Sequence, residues 1–193
     1  MGDGDDAKAR ELVARLRAGD AAAFTAVYER HAAAIFRFLA RLVGRGRRAL
    51  AEDLFQETWL RLARHARTLR PDTEVRAWLY AVARNLARSH GRWAVLDGAS
   101  REALAGWWYL EAPRAAPHDA AVAAEAARHL ERAFARLPVA AREILLLVAG
   151  EGLAVDEAAR VLGVTPETAR QRLHRARAAL AATLPTETGG EKT

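Results

Sequence analysis

The chain has 193 residues, of which 51% are hydrophobic and 28% are charged. This hydrophobic share is enough for a packed core, so the composition excludes wholesale disorder, and the length suits one ordinary domain or two small ones. The absence of Cys excludes disulfides, thiolate zinc sites and cysteine nucleophiles. The net charge of +6 comes almost wholly from Arg, because Lys8 and Lys192 are the only lysines, and Arg suits phosphate and guanine recognition. A codon bias toward Arg and Ala would give the same composition. Only the placement of the arginines can therefore indicate whether they bind a nucleic acid.

No part of the sequence predicts a membrane span or a secretory signal. The N-terminal residues MGDGDDAK are acidic and contain no hydrophobic segment. The only substantial apolar run, residues 144–149, is far too short to cross a bilayer. We therefore expect a cytoplasmic protein that is not inserted in a membrane.

Apolar residues recur at helical spacing through the first half of the chain, and no segment shows the alternation of a strand. A first helix is predicted over residues 3–18. A long helix then begins after Asp20, a predicted N-cap, and ends before Gly44. A further helix is expected over about residues 49–67, and another begins near Glu74.

The composition changes after Trp93, which predicts a linker between two small helical domains. Glycines and prolines interrupt the periodicity there, and the apolar cluster Trp107-Trp108-Tyr109 is predicted to dock on a flanking domain. Helical spacing then resumes and predicts helices over residues 120–137, 138–150, 155–163 and 165–184. The predicted fold class is all-α, with a domain over residues 1–94, a flexible linker over 95–119, a domain over 120–185 and a polar tail over 186–193.

The residues from Leu153 to Arg177 have the pattern of a helix-turn-helix. Gly163 suits the positive φ that ends the first helix. Thr165 is a predicted cap for the second helix, and Pro166 lies at its first position, where a missing N–H is tolerated. Ala154 lies where a capping Ser or Thr would help the first helix, which costs about 1 kcal/mol.

The second helix of this motif divides into an apolar side and a basic side. Ala169, Leu173 and Ala176 are predicted to pack inward. A helix in the DNA major groove needs this division, because one face reads base edges and the other packs against the protein. The alternative is a solvated helix whose arginines pair with nearby carboxylates such as Asp156 and Glu167. The outward-facing set is Arg170, Gln171, His174, Arg175 and Arg177.

Four segments together resemble the extracytoplasmic-function sigma factors, the small two-domain initiation subunits of bacterial RNA polymerase. The segments are AEDLFQETWLRLAR (51–64), VRAWLYAVARNLAR (75–88), Leu137-Pro138 and RQRLHRAR (170–177). They occur in the order that the family has. The resemblance implies that residues 1–94 form sigma region 2, which docks on core polymerase and recognises and melts the −10 element, and that 120–185 form region 4, which recognises the −35 element.

The resemblance implies a polymerase-docking surface on the helix over residues 49–67. Acidic groups and an amide suit a basic coiled coil of the polymerase through complementary charge. The alternatives are a solvated carboxylate face, an i,i+4 bridge from Glu57 to Arg61, and a metal site, for which no nearby His or third carboxylate is present. The expected docking residues are Glu52, Asp53, Gln56 and Glu57.

The loop before the next helix, and that helix itself, resemble the family element that opens the promoter. In the family the loop holds a flipped base, which needs stacking and edge hydrogen bonds, and the helix follows single-stranded DNA. Trp78 is instead predicted to be a core residue from its spacing with Leu79 and Val82. Val75 stands where the family usually has an aromatic residue, which leaves the preferred base undetermined. The expected −10 residues are Asp72, Thr73, Glu74, Arg76, Tyr80, Arg84, Asn85 and Arg88.

For the helix-turn-helix, the resemblance implies −35 readers and phosphate anchors at Thr165, Arg170, Gln171, His174, Arg175 and Arg177. It also implies core RNA polymerase and promoter DNA as partners, and restraint by an anti-sigma factor. A stand-alone DNA-binding regulator is the first rival, although an acidic docking face and a melting loop do not serve duplex binding. An enzyme is the second, but there is no phosphate-binding glycine loop, nucleophile elbow or metal-ligand spacing. We expect no catalytic residue, cofactor or metal.

Overall fold

The structure is a computed structural model that describes residues 3–44, 46–96, 125 and 129–183. The regular elements of these residues are all helical, which confirms the predicted all-α class. None of the described helices is long and apolar enough to span a bilayer. The predicted linker beyond Leu96, its Trp107-Trp108-Tyr109 cluster and the tail over residues 186–193 lie outside the described residues.

Four helices form the N-terminal half within the residues that the structure describes. They are α1 (Asp3–Arg17), α2 (Ala21–Val43), α3 (Arg48–His65) and α4 (Val75–Leu96), with a short 3₁₀ turn at Ala66–Thr68 after α3. The α4 helix runs past Trp93, where the sequence had suggested a change of structure. The other starts and ends lie within about two residues of the predicted ones.

Local chemistry explains both ends of α2. The Asp20 carboxylate accepts hydrogen bonds from the N–H groups of Ala22 (2.8 Å) and Ala23 (3.3 Å), so it is the predicted N-cap. At the other end Gly44 has φ of +88°, a conformation that a side chain disfavours, and its N–H donates to the Ala40 carbonyl. The glycine therefore ends the helix where the sequence predicted.

Helices α2, α3 and α4 pack on one another around a buried aliphatic and aromatic core. Its fully buried members include Ile35, Phe38, Leu39, Leu62 and Leu79. Burying each such side chain contributes about 1.5–3 kcal/mol. Helix α1 covers one end of this core, because it packs against the 3₁₀ turn and α2.

The C-terminal half contains shorter helices. Residues 129–136 are helical (α5), followed by α6 (Val139–Leu145), a π-helical turn (Leu146–Gly150), α7 (Val155–Leu162) and α8 (Pro166–Ala181). The helix predicted over 138–150 therefore ends in a π-helical turn. Helices α6 and α7 both pack on α8.

The two halves also pack against each other, which the sequence did not predict. Helix α4 lies against α7, and α2 lies against the π-helical turn. Buried apolar residues of both halves belong to one continuous cluster. This contact determines which of the predicted functional residues are exposed.

Candidate nucleic-acid and partner interfaces

The turn between α7 and α8 has the conformation predicted for a helix-turn-helix. Gly163 ends α7 with φ of +66° and ψ of +40°. The Thr165 hydroxyl accepts from the N–H of Thr168 at 3.2 Å, and Pro166 is at the first position of α8. Ala154 begins α7 without a side-chain cap, as expected from the sequence.

Helix α8 divides into the two predicted faces. Ala169, Leu173 and Ala176 are buried against the rest of the C-terminal half. The α8 basic face consists of exposed side chains that the packing leaves toward solvent. These are Arg170, Gln171, His174, Arg175 and Arg177.

Three of the exposed α8 side chains have local partners: Arg170 and Gln171 contact carboxylates, as the alternative interpretation expected, and Arg175 donates to the Gln171 backbone carbonyl at 3.4 Å. Arg170 forms ion pairs with Asp156 (3.2 Å) and Glu167 (3.6 Å), and the Gln171 amide donates to Glu167 (3.3 Å). All of these groups are exposed, and exposed ion pairs contribute only about 0–1 kcal/mol. They are therefore readily exchanged for a phosphate or a base.

The predicted docking residues lie together on α3. Glu52, Asp53 and Gln56 are exposed, and Glu57 is half-buried. Glu57 pairs with Arg61 at 2.9 Å, which is the i,i+4 bridge named as an alternative. No group of three His, Cys, Asp or Glu residues in the described part of the chain has the arrangement of a metal site.

The surface around these acidic residues also carries exposed aromatic and aliphatic groups. Tyr28 of α2 is 40% exposed and Leu60 of α3 is 48% exposed. The Tyr28 ring packs on Phe55 and Trp59, with centroid separations of 6.1 and 4.8 Å. The α3 surface thus combines negative charge with an apolar contact area.

The loop before α4 is only partly free. Asp72 is exposed and pairs with Arg70 at 3.1 Å, and the N–H of Thr73 donates to the Arg70 carbonyl. Glu74 pairs with Arg160 of α7, in the other half of the molecule. The loop therefore reaches the C-terminal half.

The side of α4 predicted to face DNA is largely covered. Tyr80 is 1% exposed and Arg84 is 5% exposed, so the prediction that both lie on an open face is wrong for this conformation. Tyr80 instead packs edge-on against Phe38, with centroids 5.2 Å apart. Asn85 and Arg88 remain exposed, and Arg76 is half-buried.

Glu151, just after the π-helical turn, covers part of this side of α4. Its side chain is 1% exposed and accepts a hydrogen bond from the Tyr80 hydroxyl at 3.2 Å. Arg41 and Arg37 lie 3.4 and 3.6 Å from its oxygens. Arg76 donates to the Glu151 backbone carbonyl at 2.7 Å. One buried carboxylate thus joins α2, α4 and the C-terminal half.

Two further carboxylates meet α4. Glu143 of α6, also 1% exposed, pairs with Arg84 at 3.0 Å and with Arg88 at 3.7 Å. Glu157 of α7 pairs with Arg76 at 3.4 Å. Each of these contacts joins residues more than 50 positions apart in the chain.

Burial alters the acid–base properties of this interface. It raises the pKa of Glu151 above its usual value, although Arg37 and Arg41 oppose the shift. Burial likewise raises the pKa of Glu157, against the effect of Arg76. The pKa of the Tyr80 hydroxyl is raised as well, mainly by burial and then by the Glu151 charge. The contact therefore desolvates charged groups, which is costly.

The imidazole of His31, in α2, has a strongly shifted pKa. It is half-buried, and burial lowers its pKa to about 4, with smaller contributions from Arg30 and Arg76. The side chain is therefore neutral at pH 7. His31 is thus a packed histidine.

Glu143, Glu151 and Glu157 belong to no motif that predicts a functional role from the sequence. A weak signal was present, because Glu143 directly precedes the apolar run 144–149 and Glu157 precedes two alanines that are buried. A carboxylate on the apolar side of a short helix needs a buried partner. The partner lies in the other half, so helical periodicity alone could not identify it.

Comparison with protein-family models assigns both halves. A model of Sigma-70 region 2 matches residues 27–94, and a model of Sigma-70 region 4 matches residues 127–180. The first match contains the α3 surface and the covered side of α4. The second contains the helix-turn-helix and its basic face.

Individual relatives cover most of the chain. The sigma factor CarQ of Myxococcus xanthus is 38% identical over 164 residues, which are 83% of this chain and 88% of CarQ. SigM of Mycobacterium tuberculosis, an ECF sigma factor, is 35% identical over 171 residues, which are 89% of this chain and 82% of SigM. The structure of CnrH in complex with the cytosolic domain of CnrY aligns with a TM-score of 0.63 at 26% identity, over 90% of this chain and 95% of CnrH. The chain therefore belongs to the extracytoplasmic-function sigma factors of RNA polymerase.

Proposed function

We propose that this chain binds core RNA polymerase and directs it to particular promoters, and that it has no catalytic activity of its own. The observation that carries the proposal is the exposed basic face of α8 in the same chain as the acidic and apolar surface of α3. One surface suits DNA and the other suits a basic protein. A stand-alone regulator would need only the first.

The α8 basic face is proposed to read the −35 element in the major groove. Arg170 and Gln171 come one turn after the Thr165 cap, near the helix end that enters the groove. Arg can donate two hydrogen bonds to guanine, and Gln can pair with adenine. Arg177 lies farther along the helix, and we assign it a contact with the phosphate backbone of the DNA.

The α3 surface is proposed to dock on the polymerase. Asp53 and Gln56 are exposed, and the Asp53 carboxylate forms no ion pair with the residues that the structure describes. The exposed apolar side chains of Tyr28 and Leu60 offer contact area beside them. Charge would orient the partner, and apolar burial would add affinity.

The −10 element is assigned to the loop from Asp72 to Glu74 and to the basic side of α4. Arginine and aromatic side chains on one helix suit single-stranded DNA. Asn85 and Arg88 are accessible in this structure, whereas Tyr80 and Arg84 are buried. DNA contact by the full set therefore requires the C-terminal half to move off α4.

Restraint by an anti-sigma factor is part of the proposal. The aligned CnrH structure was solved with the cytosolic domain of CnrY, and it covers 90% of this chain. We propose the cytoplasm as the location, because core polymerase and promoter DNA are there. The domain boundaries proposed from the sequence, 1–94 and 120–185, enclose the family matches over residues 27–94 and 127–180.

Retention of core polymerase tests the function. Asp53→Arg with Glu57→Arg should abolish co-purification with core enzyme and promoter-dependent transcription, because the docking charge is reversed. The matched control is Glu11→Arg with Glu29→Arg, which reverses two exposed charges elsewhere in the N-terminal half. Circular dichroism of both variants checks that the helices remain.

If the α3 variant retained core enzyme as well as the control does, the docking surface would be misassigned. If the unaltered chain supported no transcription from any promoter in a genomic fragment library with core enzyme, the function itself would be wrong.

A further inference from the structure

Two carboxylates lie beside one arginine of the α8 basic face. Arg170 donates from Nη2 to Oδ1 of Asp156 at 3.2 Å, and its Nη1 lies 3.6 Å from Oε2 of Glu167. Arg175 and Arg177, farther along the same face, form no ion pair with the residues that the structure describes. The negative charge is therefore concentrated at a position proposed to read a base.

The two carboxylates reach Arg170 from different helices. Asp156 lies in the first turn of α7 and Glu167 in the first turn of α8, and the two helices pack on each other. The second Glu167 oxygen, Oε1, accepts a hydrogen bond from the Gln171 amide at 3.3 Å. The four side chains thus form one connected network, which contains both of the residues proposed to contact base edges.

Stability gives little reason for this network. All four side chains are exposed, and exposed ion pairs contribute little to folding. Affinity for DNA gives a reason against it, because a carboxylate close to the phosphates repels the backbone of every sequence alike. A benefit that is gained only with the correct sequence would offset this cost.

The chemistry of the guanidinium group supplies such a benefit. It has five N–H donors, and a bidentate contact with guanine uses two of them. Asp156 occupies one donor, so Arg170 can bind guanine while it keeps this contact. A free arginine side chain loses rotamer freedom when it binds, and a side chain that is already held loses less. The carboxylate therefore favours the contact with guanine without touching the DNA.

We propose that Asp156 and Glu167 are positioning residues for base readout, which hold Arg170 and Gln171 in the orientation that fits guanine and adenine. They raise the sequence preference of the chain and lower its overall affinity for DNA. This rests on the proposed function, because it assumes that α8 meets a duplex. Loss of an ordinary DNA contact weakens binding, whereas loss of either carboxylate strengthens non-specific binding and weakens discrimination.

The test uses the full chain and a random double-stranded DNA library, from which the unaltered chain selects its preferred duplex. The test variants are Asp156→Asn and Glu167→Gln, which remove one charge each and nearly keep the side-chain shape. The matched control is Glu125→Gln, which removes an exposed carboxylate of the same half that lies 3.8 Å from His129. Each variant is titrated with the preferred duplex, with its single base-pair variants and with an unrelated duplex.

In Asp156→Asn we expect discrimination at the base pair read by Arg170 to fall about three- to tenfold relative to the control, because the arginine is no longer held. Affinity for the unrelated duplex should rise about two- to threefold, because one charge that repels phosphates is gone. Glu167→Gln should act in the same direction at two base pairs, since Glu167 contacts both Arg170 and Gln171.

A double-mutant cycle separates positioning from a structural role. In the Arg170→Ala background, Asp156→Asn should leave the preference at that base pair unchanged, because no side chain is left to position. A purely structural role of Asp156 at the start of α7 would instead lower the affinity for all duplexes and the melting midpoint, with Arg170 present or absent.

Unchanged base preference in folded Asp156→Asn would overturn the proposal. A change of preference that persists in the Arg170→Ala background would overturn it too, as would an equal fall in affinity for all duplexes. Each of these results leaves the proposed function standing, because selection of a duplex by the unaltered chain and its retention of core polymerase report that function separately. If the unaltered chain did neither, the proposed function would be wrong and this inference with it.

Discussion

The basic side of α4 (Arg76, Tyr80, Arg84 and Arg88) and the α8 basic face both carry several arginines, yet their surroundings differ. On α8, Arg175 and Arg177 are exposed. On α4, Arg84 is buried against a carboxylate that is 1% exposed, and Tyr80 is buried beside another. The α8 basic face is exposed to solvent, whereas the second half of the chain packs against the basic side of α4.

This difference shows what a pattern of arginines predicts. A basic helical face indicates an anionic partner, but the partner can be DNA or a carboxylate of the same chain. Glu143 and Glu151 lie more than 50 residues from the arginines they meet. Only the packing of the two halves decides which partner is present.

The largest expected effect is a loss of stability in Arg84→Ala. Thermal melts followed by circular dichroism compare this variant with Arg175→Ala. Removing Arg84 takes away the guanidinium 3.0 Å from the buried Glu143 and leaves Arg88, at 3.7 Å, and the charge of Arg142 to compensate it. Breaking a buried pair costs about 3–5 kcal/mol, so the lower end, about 3 kcal/mol, is expected. That corresponds to a decrease of roughly 6–12 °C in the midpoint. Arg175→Ala should change stability by less than about 0.5 kcal/mol. Equal melts would show that Arg84 is not buried in solution.

A smaller effect distinguishes readers from anchors within the α8 basic face. Arg170→Ala should cost about 1–3 kcal/mol on the preferred duplex and relax the preference at one base pair. Arg177→Ala should weaken all duplexes alike and reduce the salt dependence by about one unit of slope. Selection from a random duplex library, followed by titrations at several salt concentrations, measures both. Identical profiles for the two variants would contradict the assignment.

The smallest expected effect is a pH dependence of stability that arises from His31. This side chain lies close enough to Arg76 to be affected by its charge. The pKa of His31 is about 4 in the folded chain, below the ordinary value of 6.5. The unfolded chain therefore binds the extra proton first, and the stability present above pH 6.5 is lost as pH falls toward 4. Because His31 is only half-buried, the loss between pH 7 and 5 is about 1 kcal/mol or less.

Urea unfolding at pH 7 and pH 5 measures this loss. The variant His31→Gln lacks the part of the stability that is lost on acidification. Its free energy of unfolding should therefore fall less between pH 7 and pH 5, and should approach that of the unaltered chain at pH 5. His174→Gln is the matched control, since it replaces an exposed histidine on α8. The same response in both variants would show that the environment of His31 has no effect.

Local sequence signals were sufficient to predict much of the fold. Asp20 and Thr165 accept the hydrogen bonds expected of N-caps, and Gly44 and Gly163 end their helices with positive φ. The inward side of α8 also follows from sequence, because its small and aliphatic residues recur every three or four positions. Each of these features depends on residues within about one helical turn of one another.

Tyr80 and Arg84 show where such reasoning stops. On α4 alone, both positions belong to a stripe of basic and aromatic residues, and that stripe was interpreted as an open face. Tyr80 is buried because Phe38 of α2 and Glu151 pack on it from two sides. Neither neighbour is near it in sequence.

The sequence by itself determined the helices, their caps, the two faces of the helix-turn-helix and the resemblance to the sigma family, because hydrogen bonding within one turn and apolar periodicity are local. The tertiary structure alone decided which basic face is open. That outcome depends on desolvating Glu143 and Glu151 against arginines of the other half, and the free energy of such pairs depends on distance and burial, which have no signature in sequence.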